Sequence, residues 1–482
     1  MSISLTNWIL ILTHVVIAPL TATHAALSKR DSRSAFGWIS VCILFPIAGP
    51  VIYAVFGLNR VRSRARRLND DDDQHETWLH KVLDQERVTP ALMTHSAVAA
   101  VANPPFDLSP IGARLSGVVV APGNQLTPLI NGDEAYPAML EAIGNATTSV
   151  SLCSYIFDND GIGRQFVDAL SAARQRGAQV KVLVDGVGQH YSIPSIRRRL
   201  RKAGLMEATF MPPRLLPPSL HINLRNHRKI LVVDGTVGFT GGMNISDRHI
   251  TAQGGSVQDV HFRVAGPVVG ALEHAFAKDW AFATNTAVTE PHDVTHSTDG
   301  TASCRVITDG PDEELDRLSM LINATVAAAK RQVLIMTPYF LPSRELVAVL
   351  QAAAVRGVEI RVVLPAENNL WFVHAATMNM LWELLQYGVA VHFQPPPFVH
   401  TKLLVIDDDY TLVGSANLDP RSLRLNFELG LEVFCKNFTG LAERHMRQCI
   451  DKSREVTLAE VESRSLPVRI RDATCWLFSP YL

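Results

Sequence analysis

His227-Arg-Lys229 opens one motif of this 482-residue chain, and His400-Thr-Lys402 opens a second. Each runs through four apolar residues to an aspartate, Asp234 or Asp407, and then through a Gly-rich turn to an asparagine, Asn244 or Asn417. The His-to-Asn interval is 17 residues in both. A His and a Lys two positions apart project from the same face of an extended strand. One such H-x-K-x-x-x-x-D pattern arises easily by chance. Two copies with the same internal spacing predict one site assembled from two repeats.

The chemistry that suits these residues is displacement at a phosphodiester. A neutral imidazole attacks phosphorus without the repulsion that an anionic nucleophile meets. Lys229 and Lys402 neutralise the non-bridging oxygens, and Asn244, Asn417 and Ser415 are expected to donate to them. A second imidazole protonates the departing alkoxide and then takes a proton from the incoming alcohol. Paired lysines supply the charge that a divalent ion would bring, so neither a metal nor any other cofactor is expected. A carboxylate behind each imidazole would fix its tautomer. Asp259, 32 residues after His227, and Glu428, 28 after His400, occupy corresponding places in the two copies. Asp234 and Asp407 belong to the catalytic motif by position, but they are expected to end their strands with hydrogen bonds to the backbone. Tyr155 and Tyr339 fall at equivalent positions and are candidates for the cleft wall. His292 and His296 share a helical spacing without a third ligand and are set aside as metal ligands.

The elements around the motifs alternate strand and helix, as an α/β fold requires. Ser149–Phe157 and Val180–Asp185 read as strands around a helical stretch at Gly163–Gly177. Gln332–Phe340 and Glu359–Leu364 read the same way around Ser343–Gly357. Arg176-Gly177 and Arg356-Gly357 repeat even the ending, and the period is about 170 residues. The expected architecture is an N-terminal helical hairpin over 1–67, a lead-in over 68–121, a first α/β domain over 122–288, a linker over 289–303 and a second domain over 304–482. Two mixed sheets flanked by helices would then pack around one cleft. The hairpin rests on two uncharged stretches, about 6–27 and 36–57, each long enough for a bilayer core that takes ~20 apolar residues. By the arginines from Arg60 to Arg67, the larger part of the chain is expected on the cytoplasmic side.

Charge narrows the function. The net charge is −1, and residues 1–67 hold eight basic groups against the single acid Asp31. The remainder therefore carries 37 basic and 45 acidic groups, a balance that disfavours nucleic-acid binding. The six cysteines are never closer than 14 residues, a spacing that gives no support to a zinc knuckle or a disulfide scaffold.

At the paired motifs the sequence resembles the phospholipase D superfamily, and within it the bacterial cardiolipin synthases. Asn223-Leu-Arg-Asn-His227, Phe239-Thr-Gly-Gly-Met-Asn244, Thr337-Pro-Tyr-Phe-Leu-Pro342, Ser415-Ala-Asn-Leu-Asp-Pro-Arg-Ser422 and the terminal Ser479-Pro-Tyr-Leu482 carry the likeness. So do Asp279-Trp280 and, in the hairpin, Trp38, Pro46, Gly49 and Tyr53–Gly57. The resemblance implies two tandem phospholipase D-like domains, a bacterial membrane location, and phosphatidylglycerol as phospholipid substrate. The implied reaction joins two phosphatidylglycerols into cardiolipin and glycerol through a phosphatidyl-histidine, with His227 as nucleophile. Gln258 departs from the Arg that the family commonly carries before the aspartate matched by Asp259.

Overall fold

The computed structural model describes residues 12–28, 32–54, 106–212, 224–289, 299–311 and 314–479. Its described N-terminal residues form one unit, and those from 106 onward form a second.

In the N-terminal unit a π-turn at Thr13–Ile17 leads into the helix Ala18–Ser28, followed by helices Ser32–Leu44 and Ala48–Ile52. Ala22, Ala25, Trp38, Cys42 and Tyr53 bury against one another, and His24 Nδ1 lies 2.8 Å from the Tyr53 hydroxyl. The second apolar stretch is therefore two helices. Pro46 interrupts it, since its ring and missing N–H cannot continue a helix interior. Among the described residues no helix is long and apolar enough to cross a membrane. Residues 6–11 and 55–57, Arg60–Arg67, the Asp70–Asp73 run, most of the 289–303 linker with His292 and His296, and 480–482 lie outside the described residues.

The second unit is organised by one 15-stranded sheet. The first copy contributes, from the middle outward, the strands Ala121–Ile130, Val260–Ala265, Val237–Gly241, Ile230–Val233, Ser149–Ser154, Gln179–Asp185 and Met206–Phe210. The second copy mirrors it with Ala302–Asp309, Glu428–Phe434, Tyr410–Gly414, Leu403–Ile406, Gln332–Met336, Glu359–Pro365 and Ala390–Gln394, and adds Arg454–Val456 at the edge. The copies join where Ala121 pairs with Cys304 and Asn124 with Ala302. The two expected sheets are thus continuous.

Both motif strands are wholly buried, which is why Ile230–Val233 and Leu403–Ile406 are unbroken apolar runs rather than alternating ones. The repeated helices appear as Gly161–Gln175 and Arg344–Val355, each capped by the residue before it, Asp160 accepting from Gly163 N–H and Ser343 from Leu346 N–H. Gly177 (φ +104°) and Gly357 (φ +90°) end the two in a left-handed conformation open to glycine.

Candidate active site

A separate pair of two-residue strands, Val257–Gln258 and Phe398–Val399, crosses between the copies and runs parallel. An isolated parallel bridge, Asn226 with Phe427, does the same on the other side. The backbone bonds match: His400 N–H donates to the Gln258 carbonyl at 2.7 Å, and His227 N–H to the Phe427 carbonyl at 2.9 Å. Each motif histidine is thereby set beside the residue that follows its pairing partner. For His400 that residue is Asp259, and for His227 it is Glu428.

The side chains complete the exchange. His400 Nδ1 lies 2.8 Å from Asp259 Oδ2. His227 Nδ1 lies 3.0 Å from Glu428 Oε1 and 3.1 Å from the Ser415 carbonyl. A carbonyl can only accept, so Nδ1 of His227 carries the hydrogen and Nε2 presents a lone pair. The carboxylates serve the opposite copy's histidine, whereas sequence spacing associates each with the histidine of its own copy.

The two lysines sit beneath the histidines with unequal contacts. Lys229 Nζ donates to the His227 carbonyl at 2.5 Å and stands 5.4 Å from the centre of the Tyr155 ring. Lys402 Nζ donates to the His400 carbonyl at 2.6 Å and also lies 2.9 Å from His400 Nε2. Among the described residues no group bonds His227 Nε2. Both lysines are buried, and neither is among the residues that line the cleft.

Burial governs the protonation of this cluster. It pushes His227 down to about 4 against the pull of Glu428, and His400, with Lys402 acting in the same direction, down to about 3 against Asp259. Burial also lowers Lys229 to about 8 and Lys402 to about 7. For the acids burial works the other way, yet His400 and Lys402 hold Asp259 down to about 2, while His227 and Lys229 do the same for Glu428. Both imidazoles are therefore held neutral at pH 7.

Other expected positions divide. Asn244 lines the cleft, its Oδ1 accepting from Ile156 N–H at 3.1 Å. Asn417 lines it too and donates to the Ser422 hydroxyl. Ser415 corrects the expectation: its hydroxyl is bound to Glu428, so it holds the carboxylate instead of facing a phosphate. Asp234 and Asp407 do not line the cleft and are corrected from the catalytic set. Asp234 accepts from the backbone of Thr147, Thr148 and Ser149, and Asp407 from that of Lys330, Arg331 and Gln332. Both are in the left-handed region (φ +50° and +51°) and pin the start of the strand beside the motif strand. Gln258 accepts a side-chain bond from Gln394 at 2.8 Å.

Both histidines open on one cavity of about 780 Å³, lined from both copies by Tyr155, Tyr191, Tyr339 and Phe398 among others. That is the volume of a small-molecule or headgroup site. Sequence reasoning missed Arg225, Arg248, His249 and Arg421 in the same wall. Arg225 was legible in principle, since it stands two residues before His227 and shares the strand face of His227 and Lys229.

A family model described as cardiolipin synthase, PLD-like domain, matches residues 139–280 and 322–450, one motif in each segment. The chain belongs to this cardiolipin synthase family. A phospholipase D–nuclease N-terminal model matches residues 8–57. Among the family's curated members, the major cardiolipin synthase ClsA of Bacillus subtilis is 29% identical over 461 residues, covering 94% of this chain and 95% of its own. Cardiolipin synthase A of Pseudomonas fluorescens is 31% identical over 449 residues, covering 92% and 91%. The fold is also that of phosphatidylserine synthase from Haemophilus influenzae, with a TM-score of 0.62 at 15% identity over 78% of this chain and all of the other.

Proposed function

We propose that the chain is a membrane-anchored phosphatidyltransferase that makes cardiolipin and glycerol from two molecules of phosphatidylglycerol. The observation that carries this reading is the pair of neutral imidazoles on one cleft, each braced at Nδ1 by the other copy's carboxylate, in a member of the cardiolipin synthase family.

His227 is the nucleophile. Its Nε2 lone pair is unclaimed, while that of His400 is taken by Lys402. In the first half-reaction Nε2 of His227 forms a bond to phosphorus and the bond from phosphorus to the glycerol oxygen breaks. The leaving oxygen takes a proton from the His400–Lys402 pair. A phosphate oxygen is a stronger acceptor than imidazole, so the Lys402 ammonium shifts to it on binding, and the bound anion raises the proton affinity of His400 Nε2. In the second half-reaction a hydroxyl of the second phosphatidylglycerol gives its proton to His400 and bonds to phosphorus. The bond from phosphorus to His227 then breaks, returning a neutral imidazole. Asp259 and Glu428 support the imidazolium charge that appears on each ring.

The hairpin expected over 1–67 is read as the anchor, with two passes through the bacterial cell membrane and the cleft on the cytoplasmic side. Its apolar stretches and the arginine run support that placement. The two copies, 122–288 and 304–482, are the tandem domains of the reading.

The test is to give purified full-length protein phosphatidylglycerol alone and analyse the products. Cardiolipin and glycerol in equal amounts are expected. Phosphatidic acid as the main product would make the protein a hydrolase that uses water as acceptor.

A further inference from the structure

His249 is a third imidazole of the cleft that the motif chemistry does not use. It ends the short turn Asp247–His249, five residues after Asn244, and is 4% exposed. Its ring centre lies 6.2 Å from that of His400 at 64°, and the Phe398 ring stands 6.1 Å from His400. Among the described residues neither ring nitrogen makes a hydrogen bond, and Nδ1 is fully buried. A buried polar atom without a partner is uncommon and costly. Burial pushes the ring down to about 4, so it is neutral and offers one donor and one acceptor at pH 7.

Beside it, Arg248 lines the same wall and is fixed in place. Its Nε donates to the Ser246 hydroxyl at 3.1 Å and its Nη2 to Asp158 Oδ2 at 2.9 Å, while the side chain stays 48% exposed. Among the described residues nothing bonds Nη1. The second copy differs at the equivalent place: five residues after Asn417 stands Ser422, bonded to Asn417. The mirrored cleft therefore differs at His249, while Arg248 has a counterpart in Arg421, which also lines the wall.

We propose that His249 and Arg248 form the subsite for the acceptor headgroup, a polyol phosphate. The imidazole would bind the hydroxyl next to the reacting one, and the guanidinium the acceptor's own phosphodiester. This rests on the reading above, in which His400 serves the leaving and entering alcohols. Displacement at phosphorus is in line, so the leaving group departs opposite His227 and the acceptor enters along the same path. That path passes His400, whose ring neighbours that of His249, and Arg248 lines the same cavity.

The test uses full-length protein in mixed micelles of phosphatidylglycerol with n-butanol, counting cardiolipin and phosphatidylbutanol from the same tube. Butanol brings a hydroxyl but neither a second hydroxyl nor a phosphate. His249→Ala and Arg248→Gln should each lower the ratio of cardiolipin to phosphatidylbutanol about tenfold, the effect of one hydrogen bond. His249→Gln, which keeps a donor and an acceptor, should recover most of it. Because both products come from one enzyme population, partial misfolding cancels in the ratio. Ratios within about twofold of the unaltered protein for both variants would overturn the subsite. Unaltered protein that makes phosphatidic acid and neither transfer product would overturn the transferase reading, and this subsite with it.

Discussion

His400 and Asp259 are 141 residues apart in sequence and 2.8 Å apart in space, across the boundary between the two copies. Glu428 reaches back to His227 in the same way over 201 residues. Replacing Asp259 by Asn keeps the shape and removes the charge that supports imidazolium at His400. Turnover should fall roughly 10⁴-fold by comparison with other carboxylate–histidine pairs. A phosphatidyl ester of p-nitrophenol, which leaves without a proton, should restore much of the first half-reaction in Asp259→Asn. It should not do so in Glu428→Gln. Burst kinetics of nitrophenol release would separate the two variants.

The covalent intermediate offers a second check. His227→Ala should form no phosphatidyl-enzyme. His400→Ala should still form one from the nitrophenyl ester, because His227 Nε2 is intact. Acid quench followed by peptide mapping would locate the label, and a label on His400 in the His227→Ala protein would reverse the roles.

Stability should decline in acid from just below neutrality. His227, His249 and His261 are pushed down to about 4 and His400 to about 3, against an ordinary value of 6.5. The unfolded chain therefore binds protons first, and the stabilising balance present above pH 6.5 is lost as pH falls toward 3. Urea midpoints should drop progressively between pH 7 and pH 5. A flat profile over that range would contradict the burial of these rings in neutral form.

Anion binding should weaken in base. Lys402 and Lys229 are lowered to about 7 and about 8, so the free site gives up its cations above those values. Competitive inhibition by tungstate should lose about tenfold in affinity per pH unit for each lysine that must be reprotonated, above about pH 8. An inhibition constant unchanged between pH 8 and pH 9 would count against lysine charge as the source of phosphate binding.

The strand that carries Glu428 also carries Glu432, paired with Arg305 at 2.6 Å with both side chains fully buried. Arg305 Nη2 donates to the Ser109 carbonyl at 3.0 Å as well, and the Tyr410 hydroxyl donates to Glu432. Arg305→Met strands a buried carboxylate and should cost about 3–5 kcal/mol in urea unfolding. The double change Arg305→Met with Glu432→Leu should recover most of that loss.

The motif residues and the strands that bear them were legible because each signal is local: an i, i+2 spacing, an apolar run, an Arg-Gly helix ending. The crossed carboxylates were not, because two short parallel pairings, Asn226 with Phe427 and Val399 with Gln258, create them between distant segments. Spacing named the right acids and the wrong partners. Ser415 has a hydroxyl at the right distance from the motif, but the demand of buried Glu428 for donors takes it away from the cleft. His249 has no spacing signature, since a three-residue turn brings it to the wall. The hairpin's second stretch looked continuous from its lack of charge, and one proline divides it.

Because each histidine is completed by the other copy, the order of synthesis matters. A ribosome delivers His227 long before Glu428, which follows it by 201 residues. Until that late strand docks, the emerging protein holds an imidazole without its brace. A chain that stops short of Glu428 therefore carries His227 without the carboxylate that orients its ring.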